Sequence, residues 1–213
     1  MEQRKREMRM IGYYNYTVIL TYIGMLSGFA GITYLWNNDL KASLICLIIA
    51  GVCDMFDGKI ASTMKRTKQE KRFGIQIDSL SDLICFGVLP ALIVFHCSAG
   101  GVLQLLICGG YALCALIRLA WFNVDEEERQ DQETGSRTAF LGLPVTTSAL
   151  LLPLFLGGGQ LLALPVTMLS PWLLALIAAA FIVPIPMNKP KLTGKVIMIL
   201  CGMASLALVF LGM

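Results

Sequence analysis

The chain has 213 residues, of which 56% are hydrophobic and only 15% are charged. Soluble domains carry about a quarter charged residues, so this composition excludes an ordinary soluble enzyme and predicts an integral membrane protein with one domain, 1–213. The net charge of +3 does not indicate a nucleic-acid partner, and we expect none.

Long apolar runs predict an all-α bundle of transmembrane helices. A membrane-spanning helix needs about 20 apolar residues, and the sequence offers six to eight such runs, with seven as the best interpretation. Their expected ranges are 15–36, 40–62, 75–97, 102–123, 140–158, 169–187 and 194–212. Residues 1–12 are polar and basic. We expect them to form a short helix on the inner membrane surface, although a frayed tail explains the same composition.

The basic residues predict the orientation of the bundle. Lysines and arginines cluster before the first span, between the second and third spans, and between the sixth and seventh spans. All three clusters fall on one side, and the positive-inside rule places that side in the cytoplasm. We therefore expect the N-terminus and the active site to face the cytoplasm, in the plasma membrane of a prokaryote.

Four aspartates interrupt the second and third spans at helical spacing. On helices, two faces result: Asp54, Asp57, Gly58 and Ala61 on the second span, and Gly74, Asp78 and Asp82 on the third. Because consecutive spans run antiparallel, the two faces can meet near the inner membrane surface. Acids at membrane depth are unfavourable unless cations neutralise them, so we interpret this cluster as a functional site.

Hard divalent cations would relieve the repulsion among four converging carboxylates. Mg²⁺ or Mn²⁺ prefers oxygen ligands and often shares them with substrate phosphates. Two such ions could stabilise the charge that develops in phosphoryl transfer. The small residues Gly58, Ala61 and Gly74 would leave room for a flat or phosphorylated group beside the acids. Structural pairing of the acids with basic residues of the intervening loop is the alternative.

This pattern resembles the signature of the CDP-alcohol phosphatidyltransferase family, D-x2-D-G-x2-A-R followed by G-x3-D-x3-D. Ser62 departs from it, since the family usually has arginine at that position. Three further segments resemble the branch of the family that uses serine as the acceptor: DSLSDLICFGVLPA (78–91), RLAWFNV (118–124) and FLGLPVTTSA (140–149). Trp121 is a second departure, because that branch typically has another arginine there.

The resemblance implies transfer of a phosphatidyl group from CDP-diacylglycerol to the hydroxyl of L-serine, with release of CMP. It implies that Asp54, Asp57, Asp78 and Asp82 hold divalent ions and that Asp82 is also the general base. It further implies that CDP contacts Asp57, Gly58, Ala61, Gly74 and Asp78. The resemblance also implies a catalytic core at 15–158, additional helices at 159–213, and a homodimer.

Residues that bind the acceptor are less clearly marked. Arg118 is the only arginine embedded in a late span, and a guanidinium pairs well with the carboxylate of an amino acid or with phosphate. Snorkelling to the membrane interface, or pairing with one of the four acids, would also explain it. Weaker candidates for binding phosphate or the acceptor are Asn123, Ser79, Lys65 and Arg66.

Two other functions stay open at this point. The same family could use glycerol phosphate or inositol phosphate as the acceptor, although a phosphorylated acceptor should require more basic residues near the pocket. An ion-coupled transporter also places acids inside membrane spans. Such a transporter is expected to have repeated halves with a midplane site, whereas we see no repeat and the acids lie toward the inner ends of their spans.

Overall fold

The computed structural model describes residues 11–132, 139–188 and 192–212. The helices are α1 (Ile19–Trp36), α2 (Leu40–Ala61), α3 (Lys68–Asp82), α4 (Leu89–Cys97), α5 (Val102–Gln132), α6 (Ser148–Leu161), α7 (Val166–Ile182) and α8 (Leu192–Gly212). A π-helical turn at Leu83–Val88 joins α3 to α4, so the described residues form seven helical rods. The interfacial helix expected over 1–12 falls almost entirely outside these residues.

The all-α membrane fold predicted from the sequence is confirmed, apart from one short pair of strands. Strands β1 (Ala139–Leu141) and β2 (Pro186–Asn188) pair antiparallel, with Phe140 opposite Met187. Among the described residues, three rods are long and apolar enough to cross a membrane by themselves: Tyr16–Trp36, Lys68–Cys97 and Val102–Arg129. Helix α2 has 22 residues and is also long enough, but it contains four charged side chains, Lys41, Asp54, Asp57 and Lys59.

Helices α3 and α5 extend furthest beyond the predicted spans. Helix α3 begins at Lys68 rather than at residue 75, because Thr67 and Glu70 form a capping box at its N-terminus. The Thr67 hydroxyl accepts a hydrogen bond from the Glu70 amide, and the Glu70 carboxylate accepts one from the Thr67 amide. Helix α5 continues to Gln132, through acidic sequence that we predicted to be a loop.

A proline fixes the middle of the α3–α4 rod against its neighbours. Pro90 has no amide hydrogen, so it cannot donate to the carbonyl of Phe86, four residues earlier. That carbonyl instead accepts hydrogen bonds from the Tyr111 hydroxyl at 2.6 Å and from the Ser148 hydroxyl at 3.2 Å. Tyr111 on α5 and Ser148 on α6 are both fully buried. The rod that carries Asp78 and Asp82 is therefore tied to two other helices.

Glycines let α1 lie directly against α2 and the α3–α4 rod. A Cβ atom built on Gly28 would lie 2.6 Å from the Cys85 sulfur, and one built on Gly31 would lie 2.9 Å from a methyl carbon of Leu89. On the neighbouring turn, a Cβ on Gly24 would lie 3.3 Å from Cys53. These glycines of α1 thus allow close helix packing.

Helix α8 is held against α6 by a similar contact. A Cβ atom on Gly157 would lie 2.8 Å from the carbonyl carbon of Leu208, so the two backbones touch there. The Ser205 hydroxyl donates to the Leu150 carbonyl at 3.4 Å and to the Cys201 carbonyl at 2.8 Å. These contacts involve the C-terminal half of α8.

Gly28→Leu should destabilise the fold by about 1–3 kcal/mol, because the added side chain must push α1 away from Cys85. Thermal unfolding of the purified protein in detergent measures the effect. Gly109→Leu is the matched control, since Gly109 is exposed on α5 and a Cβ there has no neighbouring atom within 4 Å. Equal melting temperatures for the two variants would contradict this account of the α1 interface.

Candidate active site

The aspartates of α2 and α3 converge at one point inside the bundle. One carboxylate oxygen from each of Asp54, Asp78 and Asp82 lies within 4.8 Å of the other two. Asp57 is buried, and its carboxyl group is in hydrogen-bond contact with that of Asp78. Two ionised carboxylates could not stay in such contact without a shared proton or cation.

The enclosed space between these acids is small. All four aspartates line a cavity of about 10 Å³, which has room for roughly one water-sized species. A set of carboxylate oxygens at this spacing is the ligand chemistry that Mg²⁺, Ca²⁺ and Mn²⁺ prefer. The donor set therefore fits a divalent cation.

Two threonines support the acids, and the sequence reading missed both. The Thr21 hydroxyl, on α1, donates to Asp57 Oδ2 at 3.3 Å. Thr146, in the turn before α6, lies beside the Asp54 side chain. Thr146 belongs to FLGLPVTTSA, one of the segments that resemble the serine branch of the family. Nothing in the sequence around Thr21 distinguishes it from other small residues of an apolar span.

No lysine or arginine of the described part of the chain forms an ion pair with these four acids. Lys59, the nearest basic residue along α2, is exposed and lies over the Phe56 ring, with its nitrogen 5.4 Å from the ring centre. Structural pairing of the acids with basic side chains is thus not observed there.

A larger pocket of about 230 Å³ opens beside the carboxylates. Its lining includes Asp57, Gly58, Ala61, Gly74 and Asp78, which are the residues expected to contact CDP. Asp57 and Asp78 line both this pocket and the small cavity, so the two spaces share a wall. We call this space the glycine pocket. A Cβ atom on Gly58 would meet no atom within 4 Å, which leaves the pocket open at that point.

Arg118 is buried but lines neither of these two cavities. Its guanidinium donates to the backbone carbonyls of Gly142 at 3.2 Å and Phe181 at 3.5 Å. Phe181 lies in the last turn of α7, whose carbonyls lack helical partners and carry partial negative charge. Gly142 has a φ of +73°, and a Cβ there would lie 2.7 Å from Arg118 Nη1. Arg118 thus fastens α5 to the end of α7.

The weaker candidates for phosphate or acceptor binding separate into two groups. The Ser79 hydroxyl donates to Asn123 Oδ1 at 2.7 Å, and the Asn123 amide donates to Gln76 Oε1 at 3.3 Å. These three side chains connect α3 to α5 and do not line the glycine pocket. In the loop before α3, Lys65 is exposed whereas Arg66 lines that pocket.

Comparison with known proteins assigns the family. Residues 14–184 match the family model described as CDP-alcohol phosphatidyltransferase. The chain belongs to the CDP-alcohol phosphatidyltransferase family. The resemblance recognised in the sequence is therefore confirmed, and the four aspartates lie inside the matched region. The division into a core at 15–158 and additional helices at 159–213 stays a prediction.

Several curated relatives of this family member are named for transfer to serine. The CDP-diacylglycerol–serine O-phosphatidyltransferase of Saccharomyces cerevisiae is 37% identical over 144 residues, which cover 62% of this chain and 51% of the relative. The archaetidylserine synthase of Methanothermobacter thermautotrophicus is 30% identical over 64% of this chain and 55% of its own length. A Helicobacter pylori CDP-diacylglycerol–serine O-phosphatidyltransferase is 29% identical over 65% and 54%. The chain spans about half the length of these relatives.

Purified protein should bind Mn²⁺ through the aspartate cluster, and Asp78→Asn should weaken that binding at least about tenfold because a charged ligand is lost. Electron paramagnetic resonance of free and bound Mn²⁺ measures both affinities. Glu128→Gln is the control, since it removes one exposed carboxylate of α5 away from the cluster. Unchanged Mn²⁺ affinity in Asp78→Asn would exclude the cluster as the metal site.

Proposed function

We propose that this protein transfers the phosphatidyl group of CDP-diacylglycerol to the hydroxyl of L-serine, forming phosphatidylserine and CMP. The observation that carries the proposal is the convergence of Asp54, Asp78 and Asp82 beside the glycine pocket. Family membership and the printed names of the relatives support the reaction type. The family match lends no support to the alternative of an ion-coupled transporter.

In this proposal the donor's diphosphate lies against the acids and its nucleotide occupies the glycine pocket. The small side chains of Gly58, Ala61 and Gly74 leave the helix surfaces bare, so a flat base and its ribose can approach the backbone closely. Asp57 and Asp78, which line both spaces, would then stand at the boundary between the metal site and the nucleotide.

The acids would hold the ions on which the family depends, Mg²⁺ or Mn²⁺. Asp54, Asp78 and Asp82 would hold one ion in the small cavity, and Asp57 with Asp78 would hold a second at the edge of the glycine pocket. When bound, such ions neutralise the phosphate oxygens and so favour attack on phosphorus.

Asp82 is the proposed general base. Its carboxylate takes the proton of the serine hydroxyl while that oxygen forms a bond to the lipid-side phosphorus. The bond between that phosphorus and the bridging oxygen of the diphosphate breaks, and CMP leaves with the bonding electrons. Asp82 lies at the deep end of the acid cluster, directly before the π-helical turn, where Tyr111 and Ser148 hold the rod in place.

The acyl chains of the donor must remain in the bilayer, and an apolar groove offers them a path. The groove has a volume of about 340 Å³ and lies between α2, α6 and α8. It is lined mainly by aliphatic side chains, including Ile48, Val52, Leu150 and Leu206, and Asp54 stands at its margin. Since Asp54 also lines the metal cavity, a lipid could lie with its phosphate at the acids and a chain in the groove.

We further propose serine as the acceptor rather than a phosphorylated alcohol. Among the described residues that line the glycine pocket, Arg66 is the one basic side chain, whereas a phosphorylated acceptor would add at least one more phosphate to neutralise. Arg118 already donates to two backbone carbonyls. Recognition of the serine carboxylate by Arg118, Asn123 or Ser79 would require that some of the observed hydrogen bonds be exchanged.

The protein's setting is also proposed. Basic residues on one side of the bundle support a cytoplasmic N-terminus and active site in a prokaryotic plasma membrane. A homodimer is proposed from the family resemblance alone.

Purified protein with CDP-diacylglycerol and Mn²⁺ should release CMP when L-serine is added, as measured by chromatography of the nucleotide. Glycerol phosphate and inositol phosphate should give less than a tenth of that rate. Release of CMP with one of these acceptors but not with serine would overturn the acceptor while preserving the family's reaction.

Asp82→Asn should reduce CMP release by at least about a hundredfold with every acceptor, because general base catalysis contributes 10²- to 10⁴-fold. Glu128→Gln serves again as the matched carboxylate control. A melting temperature close to that of the unaltered protein shows that Asp82→Asn is folded. Substantial turnover by this folded variant would remove Asp82 from the role of base.

A side chain that fills the groove should lower kcat/KM more for long-chain donors than for short-chain donors. A Cβ atom on Gly202 of α8 meets no atom within 4 Å, so Gly202→Leu should fold normally while projecting into the groove. We expect about a tenfold loss of kcat/KM with dipalmitoyl CDP-diacylglycerol and little loss with the dihexanoyl form. Gly109→Leu, on the exposed face of α5, should affect neither donor. Equal loss for both donors would argue against an acyl chain in this groove.

A further inference from the structure

The loop between α2 and α3 places a single arginine, Arg66, in the lining of the glycine pocket. Arg66 is half-buried and lines the pocket with Asp57, Gly58 and Gly74, while its neighbours Lys65 and Thr67 are exposed. The loop is short, since α2 ends at Ala61 and the capping box at Thr67 starts α3. The position of Arg66 is thus set by two helix ends.

The guanidinium of Arg66 packs against Gly74 of α3. A Cβ atom built on Gly74 would lie 3.1 Å from Arg66 Nη1, which is closer than most side-chain contacts. A side chain at residue 74 would require the guanidinium to move a few tenths of an ångström away from this turn of α3. Gly74 therefore makes room for Arg66 as well as for a ligand.

One donor of this guanidinium has no partner. Arg66 Nε is fully buried and forms no hydrogen bond among the described residues. A buried N–H of a charged group without an acceptor is unfavourable, and an ion or a water molecule that it binds is one explanation for such a group. Glu126 lines the same pocket, but its carboxylate is bound by Arg129 at 2.6 Å.

We propose that Arg66 binds the diphosphate of the nucleotide donor through its guanidinium. The proposal rests on the function proposed above. A guanidinium offers parallel N–H donors that match two phosphate oxygens, and here it stands in the same pocket as Asp57 and Asp78. An anion in this pocket would have arginine on one side and cation-bound carboxylates on the other.

This role also accounts for the departure at Ser62. Ser62 caps the end of α2, and its hydroxyl donates to the Lys59 carbonyl at 2.6 Å, so it contributes no charge to the pocket. Arg66 supplies a guanidinium from four residues further along the chain. The charge is retained although the helix position that usually carries it is lost.

Isothermal titration of the purified full-length protein with CDP, in the presence of Mn²⁺, tests the proposal. Arg66→Ala should weaken CDP binding about 30-fold and Arg66→Lys about fivefold, because a lysine keeps the charge but loses the paired donors. Lys71→Ala is the control, since it removes an exposed charge from the same helix end. Its CDP affinity should stay within a factor of two of the original.

Mn²⁺ affinity, measured on the same variants, separates binding of diphosphate from damage to the fold. Arg66→Ala should bind Mn²⁺ as the unaltered protein does, since the aspartates are intact. Unchanged CDP affinity in Arg66→Ala would overturn the inference, and so would a parallel loss of CDP and Mn²⁺ affinity. If the unaltered protein binds Mn²⁺ but not CDP, the proposed function itself fails and the role of Arg66 fails with it.

Discussion

The structure depends on bringing four carboxyl groups together inside the bundle, where one oxygen from each of Asp54, Asp78 and Asp82 lies within 4.8 Å of the other two. Carboxylates removed from water repel one another strongly in a medium of low dielectric constant, so they come together only where the surrounding helices leave them no alternative. Three features supply that constraint. Glycines bring α1 against α2 and the α3–α4 rod, Thr21 donates to Asp57, and the Phe86 carbonyl left free by Pro90 accepts from Tyr111 and Ser148. The acids are thus held by polar and steric contacts rather than by ion pairs.

Much of this site could be predicted because its information is local. Helical phase places Asp54 with Asp57, and Asp78 with Asp82, whatever the rest of the chain does. The short loop between α2 and α3 makes the two helices antiparallel neighbours, so their acidic faces can meet. The Thr67–Glu70 capping box is equally local. Hydropathy alone nevertheless predicts that α3 begins seven residues later, at residue 75. Hydropathy marks where a helix enters the membrane, whereas the cap marks where the helix starts.

The remaining features depend on contacts between residues far apart in the sequence. The end of α7 and the glycine turn at Gly142 both accept hydrogen bonds from Arg118, and neither acceptor can be recognised from the sequence around the arginine. Lys65 and Arg66 are adjacent and chemically alike, yet only Arg66 enters the pocket. The difference is set by the backbone direction of a short loop and by a glycine on the next helix. A hydrophobic pattern contains no information about either.

Helix α8 lies beyond residue 184, where the match to the family model ends. It lines the apolar groove through Ile199, Gly202, Met203 and Leu206, and none of its described side chains lines the small cavity between the aspartates. Of the four acids, Asp54 also lines this groove, so changes on this face of α8 reach the cluster through Asp54. If an acyl chain occupies the groove, as proposed above, the length of the lipid chain and the chemistry of its headgroup are read by different sets of helices that share α2.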